Sequence, residues 1–401
     1  MQKKKSLDHK HLFVWIVLLT IPISGFTTDI YVPSLPAVTA YFGTSKALVQ
    51  LTMTAYLLGF GFASLFSGAL VDSFGRKKPF NISMAIYILT SLFVLFLSNI
   101  TQLLILRCIQ GLAMSFVMIA MRAVISDLFK GKDFYKMMNY TTIAWAIGPI
   151  IAPAIGGYLQ YYFGWRAPFL FLVFYGLVTL ILNLLYVPET VESKNTFNFK
   201  KIGAQYRKIL SHYDFLVGLF CLGFLYGMLL LFGVVAPFLI QEQLHYSSIT
   251  FGHIALLVGV LWLLGSITNR FLVDINCEQK IKYCFIAMLL IGSIALFWAF
   301  IFPMTIWNIV VPSGLMLYFA SIIFPNYFAS SVALFPDSPG TANSLMSSSM
   351  VFVSAFCTVM DSLLKSDSQI PFILSYLVIV FLGFLLYCWR GRFKGAATSQ
   401  P

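Results

Sequence analysis

Two ionisable residues, Asp29 and Arg107, stand inside long apolar runs of this sequence. A charge held in hydrocarbon costs at least a few kcal/mol and marks a functional candidate by default. A carboxyl beside a guanidinium can bind and release a proton, because burial and the cation pull its charge state in opposite directions. The same two residues can equally form a structural ion pair that joins two helices. Asp361 lies near the end of another apolar run, and most other acids fall in loops or at segment ends.

Arg107 also opens a row of residues at helical spacing: Gln110, Gly111, Met114, Met118, Met121 and Arg122 share one helix face with it. Arg107 and Arg122 differ by only about 60° around the axis. Adaptable sulfurs between two guanidiniums suit the lining of a cavity that meets anions. Plain core packing accounts for the methionines as well, and pairing with Asp127 accounts for Arg122. Further candidate lining comes from Tyr31, Tyr56, Trp145, Tyr226, Trp262, Tyr318, Asn326, Asn343 and Ser347 to Ser349, which together supply an adaptable wall for a bulky ligand. His253, at an outer helix start, reads as interfacial.

The elements that position these residues follow from composition. Hydrophobic residues make up 59% of 401, charged residues 10%, and the mean hydropathy is +0.87. Such a chain cannot cover a water-facing surface, so lipid is its solvent. Apolar stretches long enough to cross a bilayer lie at 12–36, 47–71, 79–98, 101–126, 137–162, 166–187, 213–240, 249–273, 281–302, 304–326, 340–363 and 368–389. They are continuous and not alternating, which predicts helices and excludes a β-barrel. On this count Asp29 lies 18 residues into the first span, about 27 Å from its start. Arg107 is six residues into the fourth, so both fall in the outer half of the membrane.

The charges orient the chain. With both termini cytoplasmic, 21 of the 26 Lys and Arg fall inside, among them Lys3, Lys4, Lys5 and Lys194. Only Lys46, Arg166 and Lys365 fall outside. The net charge of +12 is then an orientation signal and an attraction to anionic lipid, with no nucleic-acid partner implied. The apolar run from Leu12 lacks a small-residue cleavage site and reads as a retained helix. The six cysteines show no paired spacing, so free thiols and no metal site are expected.

The charged segment 189–212 divides the chain into an N-terminal bundle (1–188) and a C-terminal bundle (213–401). Leu70-Val71-Asp72 recurs as Leu272-Val273-Asp274, and Pro36 as Pro237, at nearly one offset. The pattern predicts two duplicated six-helix halves that rock about a substrate near the midplane.

Gly68-Ala69-Leu70-Val71-Asp72-Ser73-Phe74-Gly75-Arg76-Lys77-Lys78 follows the second span. A loop with a helix-ending Gly68, then Asp72, Gly75 and Arg76, suits a cytoplasmic latch in which Asp72 pairs with a base across a gap. It resembles the signature loop of the major facilitator superfamily. Arg107-Cys108-Ile109-Gln110-Gly111 is similar to that superfamily's fourth-helix motif, and the run Gly148-Pro149 to Gly156-Gly157, with Pro153, to its antiporter signature. Asp29-Ile30-Tyr31-Val32-Pro33-Ser34-Leu35-Pro36, with Arg122-Ala123, resembles the Bcr/CflA group of drug:proton antiporters. The sequence departs from the pattern after the eighth span, where Cys277-Glu278-Gln279-Lys280 replaces the second latch, and at Ile125-Ser126-Asp127.

The resemblance implies an all-α membrane protein with twelve transmembrane helices in the major facilitator fold, working as a monomer in a bacterial inner membrane. The Gly/Pro pairs of the fifth span are expected to form a packing seam against a C-half helix. No Walker-type loop is present, so no cofactor is expected and the proton gradient is the drive. The leading reading is a proton-coupled exporter of a small organic molecule. One buried acid against two bases suits an anionic cargo, a polycarboxylate siderophore among them. An importer of the same fold is the second reading. An integral-membrane enzyme or receptor is the third, and no nucleophile arrangement or paired acids support it.

Overall fold

The computed structural model describes residues 10–191, 199–336, 338–362, 364 and 367–398. Lys3, Lys4, Lys5, Lys194 and Lys365 of the charge argument lie outside these residues. Twelve helices are long and apolar enough to cross a membrane, one for each predicted stretch. They run Leu12–Phe42, Lys46–Phe74, Lys77–Phe96, Ile100–Leu128, Gly131–Phe163, Ala167–Tyr186, Tyr213–Gln243, Ser248–Phe271, Cys277–Ile301, Ile306–Ala333, Gly340–Ser362 and Gln369–Arg390. They fall into two compact units, Met1–Asn198 and Phe199–Pro401.

In the N-terminal unit the second span packs most extensively on the fourth, the third on the fourth and sixth, and the first on the fifth. Lipid offers no hydrophobic drive for helix association, so small residues that let backbones approach decide these pairs. A side chain on Gly59 would run into the Cys108 carbonyl, and one on Gly111 into that of Tyr56. Ser64 and Ser67 reach Ser115 at 3.0 and 3.2 Å across the same seam.

The first span is not one helix. It runs as Lys10–Thr20, Ile23–Asp29, a 3-10 turn at Val32–Ser34 and Leu35–Phe42. Pro22, Pro33 and Pro36 stand at or beside its breaks, where a missing N–H and ring sterics interrupt the ladder. Asp29 therefore ends a helical segment within the membrane.

In the C-terminal unit the seventh span packs on the eleventh, the eighth on the tenth, and the ninth on the tenth and twelfth. Ser354 Oγ donates to the Gly223 carbonyl at 3.0 Å, and Gly265 lies against Ser321 and the Tyr318 carbonyl. Arg390 joins Asp214 at 2.6 Å, tying the end of the twelfth span to the start of the seventh. The interspan segment, read from sequence only as charged linker, contains a helix at Phe199–Leu210. Ile209 is buried where this helix meets the seventh and eleventh spans.

Candidate functional site

Asn99 starts the fourth span by accepting the Thr101 N–H at 2.8 Å, and Arg107 follows two turns later. Arg107 is fully buried. Its Nη1 donates to the Thr27 carbonyl at 3.1 Å and to Gln110 Oε1 at 3.0 Å. Its Nη2 reaches Met53 Sδ at 3.7 Å. The guanidinium also lies over the rings of Tyr56 and Tyr31, at 4.7 and 5.5 Å from their centroids. Those π faces supply part of the attraction that a carboxylate would otherwise give. Thr27 is in the last turn of its helical segment, where carbonyls lack intrahelical partners. The broken first span thus presents Arg107 with an acceptor.

The polar set extends to the third span. Gln110 Nε2 donates to Ser91 Oγ at 3.0 Å, and Thr27 Oγ1 lies 2.6 Å from the Tyr87 hydroxyl. Four helices therefore share one buried network in which one charge is held by neutral groups. Arg107 Nε alone has no partner. Asp29, half-buried at the edge of this set, senses the charge of Arg107 but forms no ion pair or hydrogen bond among the described residues. The direct Asp29–Arg107 ion pair, one of the two readings the sequence allowed, is not formed among the described residues: the Thr27 carbonyl, two residues earlier in the chain, takes the guanidinium instead.

The face of the fourth span is likewise reassigned. Gln110 and Met114 are fully buried, and Met118 and Met121 are 3% and 1% exposed. Gly111 is a point of close approach to the second span. These residues, with fully buried Tyr31 and Tyr56, pack inside their unit and line no open surface. Arg122 departs from them: it is exposed and makes no hydrogen bond or ion pair among the described residues. The Asp127 alternative for Arg122 fails because Asp127 is engaged by Arg76.

The remaining candidate lining is half-buried, except for fully buried Ser348. Trp145, Tyr226 and Asn343 stand on the fifth, seventh and eleventh spans. Two polar rungs join the eighth and tenth spans: Tyr318 Oη donates to Thr268 at 2.9 Å, and Asn326 Nδ2 to Asn269 Oδ1 at 2.9 Å. Trp262 meets the Phe324 ring edge-on beside them. His253 is exposed.

The latch is a built network. Arg76 Nη1 pairs with Asp72 at 2.7 Å and donates to the Val71 carbonyl at 3.1 Å. Its Nε and Nη2 fork onto Asp127 at 3.0 and 3.4 Å. Thr190 Oγ1 donates to the same carboxylate at 2.6 Å. Asp72 thus pairs within its own loop and not across a gap: the helix ends at Phe74 and the turn at Gly75 returns the Arg76 side chain to Asp72. Gly75 has φ of +96°, and a side chain there would strike Glu189. Gly68 does not end the helix, which continues through Phe74, and nothing occupies the space beside it.

Glu189 was not recognised in the sequence as part of the latch. It accepts the backbone N–H groups of Arg76 (2.8 Å), Lys77 (3.1 Å), Thr190 (3.0 Å) and Val191 (3.2 Å). Burial alone would raise its pKa, but these four donors together hold the carboxyl below its usual range. The available signal was an acid placed directly after the sixth span. In the second unit, Asn276 caps the ninth helix and Lys280 Nζ donates to the Leu272 carbonyl at 3.2 Å. No acid fork accompanies it among the described residues.

The fifth-span seam packs on a helix of its own unit. Gly148 lies against the Pro22 carbonyl and Gly25, Pro149 against Gly25, and Gly156 against Ile30. The Gly/Pro pairs, with Pro153 inside the helix and buried Gly157, receive the broken first span of their own unit. The seam brackets Asp29. Among the described residues no group of three or more His, Cys, Asp or Glu is placed to hold a metal.

Comparisons with known proteins agree with this architecture. The chain is 26% identical over 386 residues to the bicyclomycin resistance protein homolog of Haemophilus influenzae, covering 95% of this chain and 96% of that one. It is 25% identical over 401 residues to multidrug resistance protein D of Escherichia coli, covering 96% of each. Both relatives accord with the resemblance to Bcr/CflA-type antiporters. The fold matches a crystal structure of a D-xylose-proton symporter with a TM-score of 0.75 at 16% identity, over 94% of this chain and 96% of that one. A profile of the Major Facilitator Superfamily matches residues 17–359. With twelve spans, two six-helix units and that match over most of its length, this chain belongs to the Major Facilitator Superfamily and is a membrane transporter, not an enzyme.

Proposed function

We propose that this transporter exports small organic molecules in exchange for protons, acting as a monomer in a bacterial inner membrane with both termini cytoplasmic. The observation that carries the reading is Asp29: an intramembrane carboxyl, half-buried and without a hydrogen bond among the described residues, beside a guanidinium held by neutral partners. A carboxyl so placed is free to change protonation without breaking a bond. The proton gradient is then the drive, with no cofactor. Cargo is carried by alternating exposure to the two sides of the membrane. Export is supported by the drug-resistance names of the relatives and by the Gly/Pro signature of the fifth span. The inside-positive charge distribution supports the orientation.

The test is transport in proteoliposomes with a pH gradient imposed in either direction. Asp29→Asn should lose gradient-driven accumulation while retaining cargo binding. A variant that accumulates cargo like wild type would remove Asp29 from the coupling step.

A second reading concerns the cargo. Arg122 is an exposed cation within a span and has no counter-charge among the described residues. It favours an anionic cargo, a polycarboxylate siderophore among the possibilities. Wild type should then bind polycarboxylates more tightly than Arg122→Gln does. Tight binding of lipophilic cations with indifference to polycarboxylates would exclude this reading.

A further inference from the structure

The C-terminal unit holds an intramembrane acid of its own, and its surroundings differ from those of Asp29. Asp361 lies in the last turn of the eleventh span and is 4% exposed. One hydrogen bond reaches its carboxylate, from Ser375 Oγ on the twelfth span at 2.6 Å. No cation pairs with it among the described residues. Arg390, the cation within the twelfth span, sits at that helix's opposite end on Asp214. On the twelfth span, Tyr376 lies close enough to interact with its charge. The Tyr376 hydroxyl is already spent on the Met228 carbonyl at 2.7 Å. On its own helix the nearest titratable group is Cys357, one turn earlier.

A buried carboxylate is neutralised by a cation, by several donors or by a proton. Among the described residues the first is missing and the second is reduced to a single hydroxyl. The position adds a further term, because Asp361 stands at the C-terminus of its helix, where the negative end of the macrodipole opposes an anion. Ser375 occupies Oδ1, which leaves Oδ2 to carry hydrogen. The Leu364 N–H accepted by the Asp361 carbonyl at 2.8 Å closes the helix end. Asp361 therefore lies one residue from the end of the span, a short distance for proton exchange.

We propose that Asp361 is a proton-binding site of the C-terminal unit, separate from Asp29. This extends the proton-coupled reading above, yet its test does not pass through transport. The full chain in lipid nanodiscs is followed by infrared difference spectroscopy as the pH is raised from acidic to alkaline. Wild type should show a protonated-carboxyl C=O band that fades on deprotonation. Asp361→Asn should lose that band, and Asp29→Asn should retain it. Ser375→Ala should keep the band but shift its frequency, since the hydrogen bond to the carboxyl is gone; this variant decides the matter if Asp361→Asn fails to fold. The proposal is overturned if Asp361→Asn leaves the spectrum unchanged, if Ser375→Ala leaves the frequency of the band unchanged, or if the band is indifferent to pH. A band that follows sodium and not pH would also overturn it. Asp29 can fail as the coupling residue while this band is found, and the reverse, so the two readings fail separately.

Discussion

Arg107 donates to the main-chain carbonyl of Thr27 at 3.1 Å and leaves the carboxylate of Asp29 unpaired. The two residues of the first span thereby divide the work. Thr27 helps fix the Arg107 charge in place, and in the proposed function Asp29 is the group that changes its own. A direct ion pair would have bound both side chains and tied any proton exchange to the loss of a buried contact.

This division predicts unequal stability costs. Arg107→Ala orphans Gln110 Oε1 and the Thr27 carbonyl and empties the space between two tyrosine rings, a loss on the order of 3 kcal/mol. Asp29→Asn removes no hydrogen bond and should shift the unfolding temperature little. Thermal unfolding of both variants in one detergent checks it; equal losses would mean Asp29 is a structural partner after all.

Two glycines in neighbouring spans should respond in opposite directions. Gly111→Ala forces a methyl group against the Tyr56 carbonyl, where backbone cannot yield, and should cost about 1–3 kcal/mol or prevent folding. Gly68→Ala meets nothing and lies within a helix, so it should be neutral or stabilising by up to about 1 kcal/mol. Expression level and unfolding temperature report both.

Glu189 carries a pH dependence of known sign. Its folded-state pKa lies below the usual value of 4.5 because the Arg76, Lys77, Val191 and Thr190 amides, taken together, outweigh burial. Its contribution is therefore fully present above 4.5 and lost as pH falls through the lower, folded value. Wild type should exceed Glu189→Gln in stability at neutral pH by a constant margin that shrinks only in acid. A margin that grows on acidification would reverse the assignment.

The Arg76–Asp127 fork predicts energetic coupling. Both side chains are largely buried, at 12% and 22% exposure, so solvent screens the pair incompletely. A double-mutant cycle of Arg76→Gln and Asp127→Asn should give a coupling energy of about 0.5–3 kcal/mol. The cycle Arg76→Gln with Asp72→Asn should give less, because Asp72 is 46% exposed. Equal couplings would show that the two acids are interchangeable.

Much of this molecule was legible in one dimension. Apolar length and charge scarcity set twelve helices and their membrane solvent, since neither property depends on which helix touches which. The Gly and Pro residues of the fifth span announced a close approach, and Asp29 and Arg107 announced themselves by being charged where charge is costly. The partners were not legible. That the seam of Gly148 and Gly156 receives Pro22, Gly25 and Ile30 of the first span is settled by the fit of two backbones more than a hundred residues apart. That Met114 and Met118 face a packed interior and Arg122 does not is settled by where the second span lies, although all three share one stripe. Hydropathy assigns each residue a solvent; only packing gives it a neighbour. In a membrane, where apolar faces compete equally for one another, that choice rests on shape and on a few hydrogen bonds.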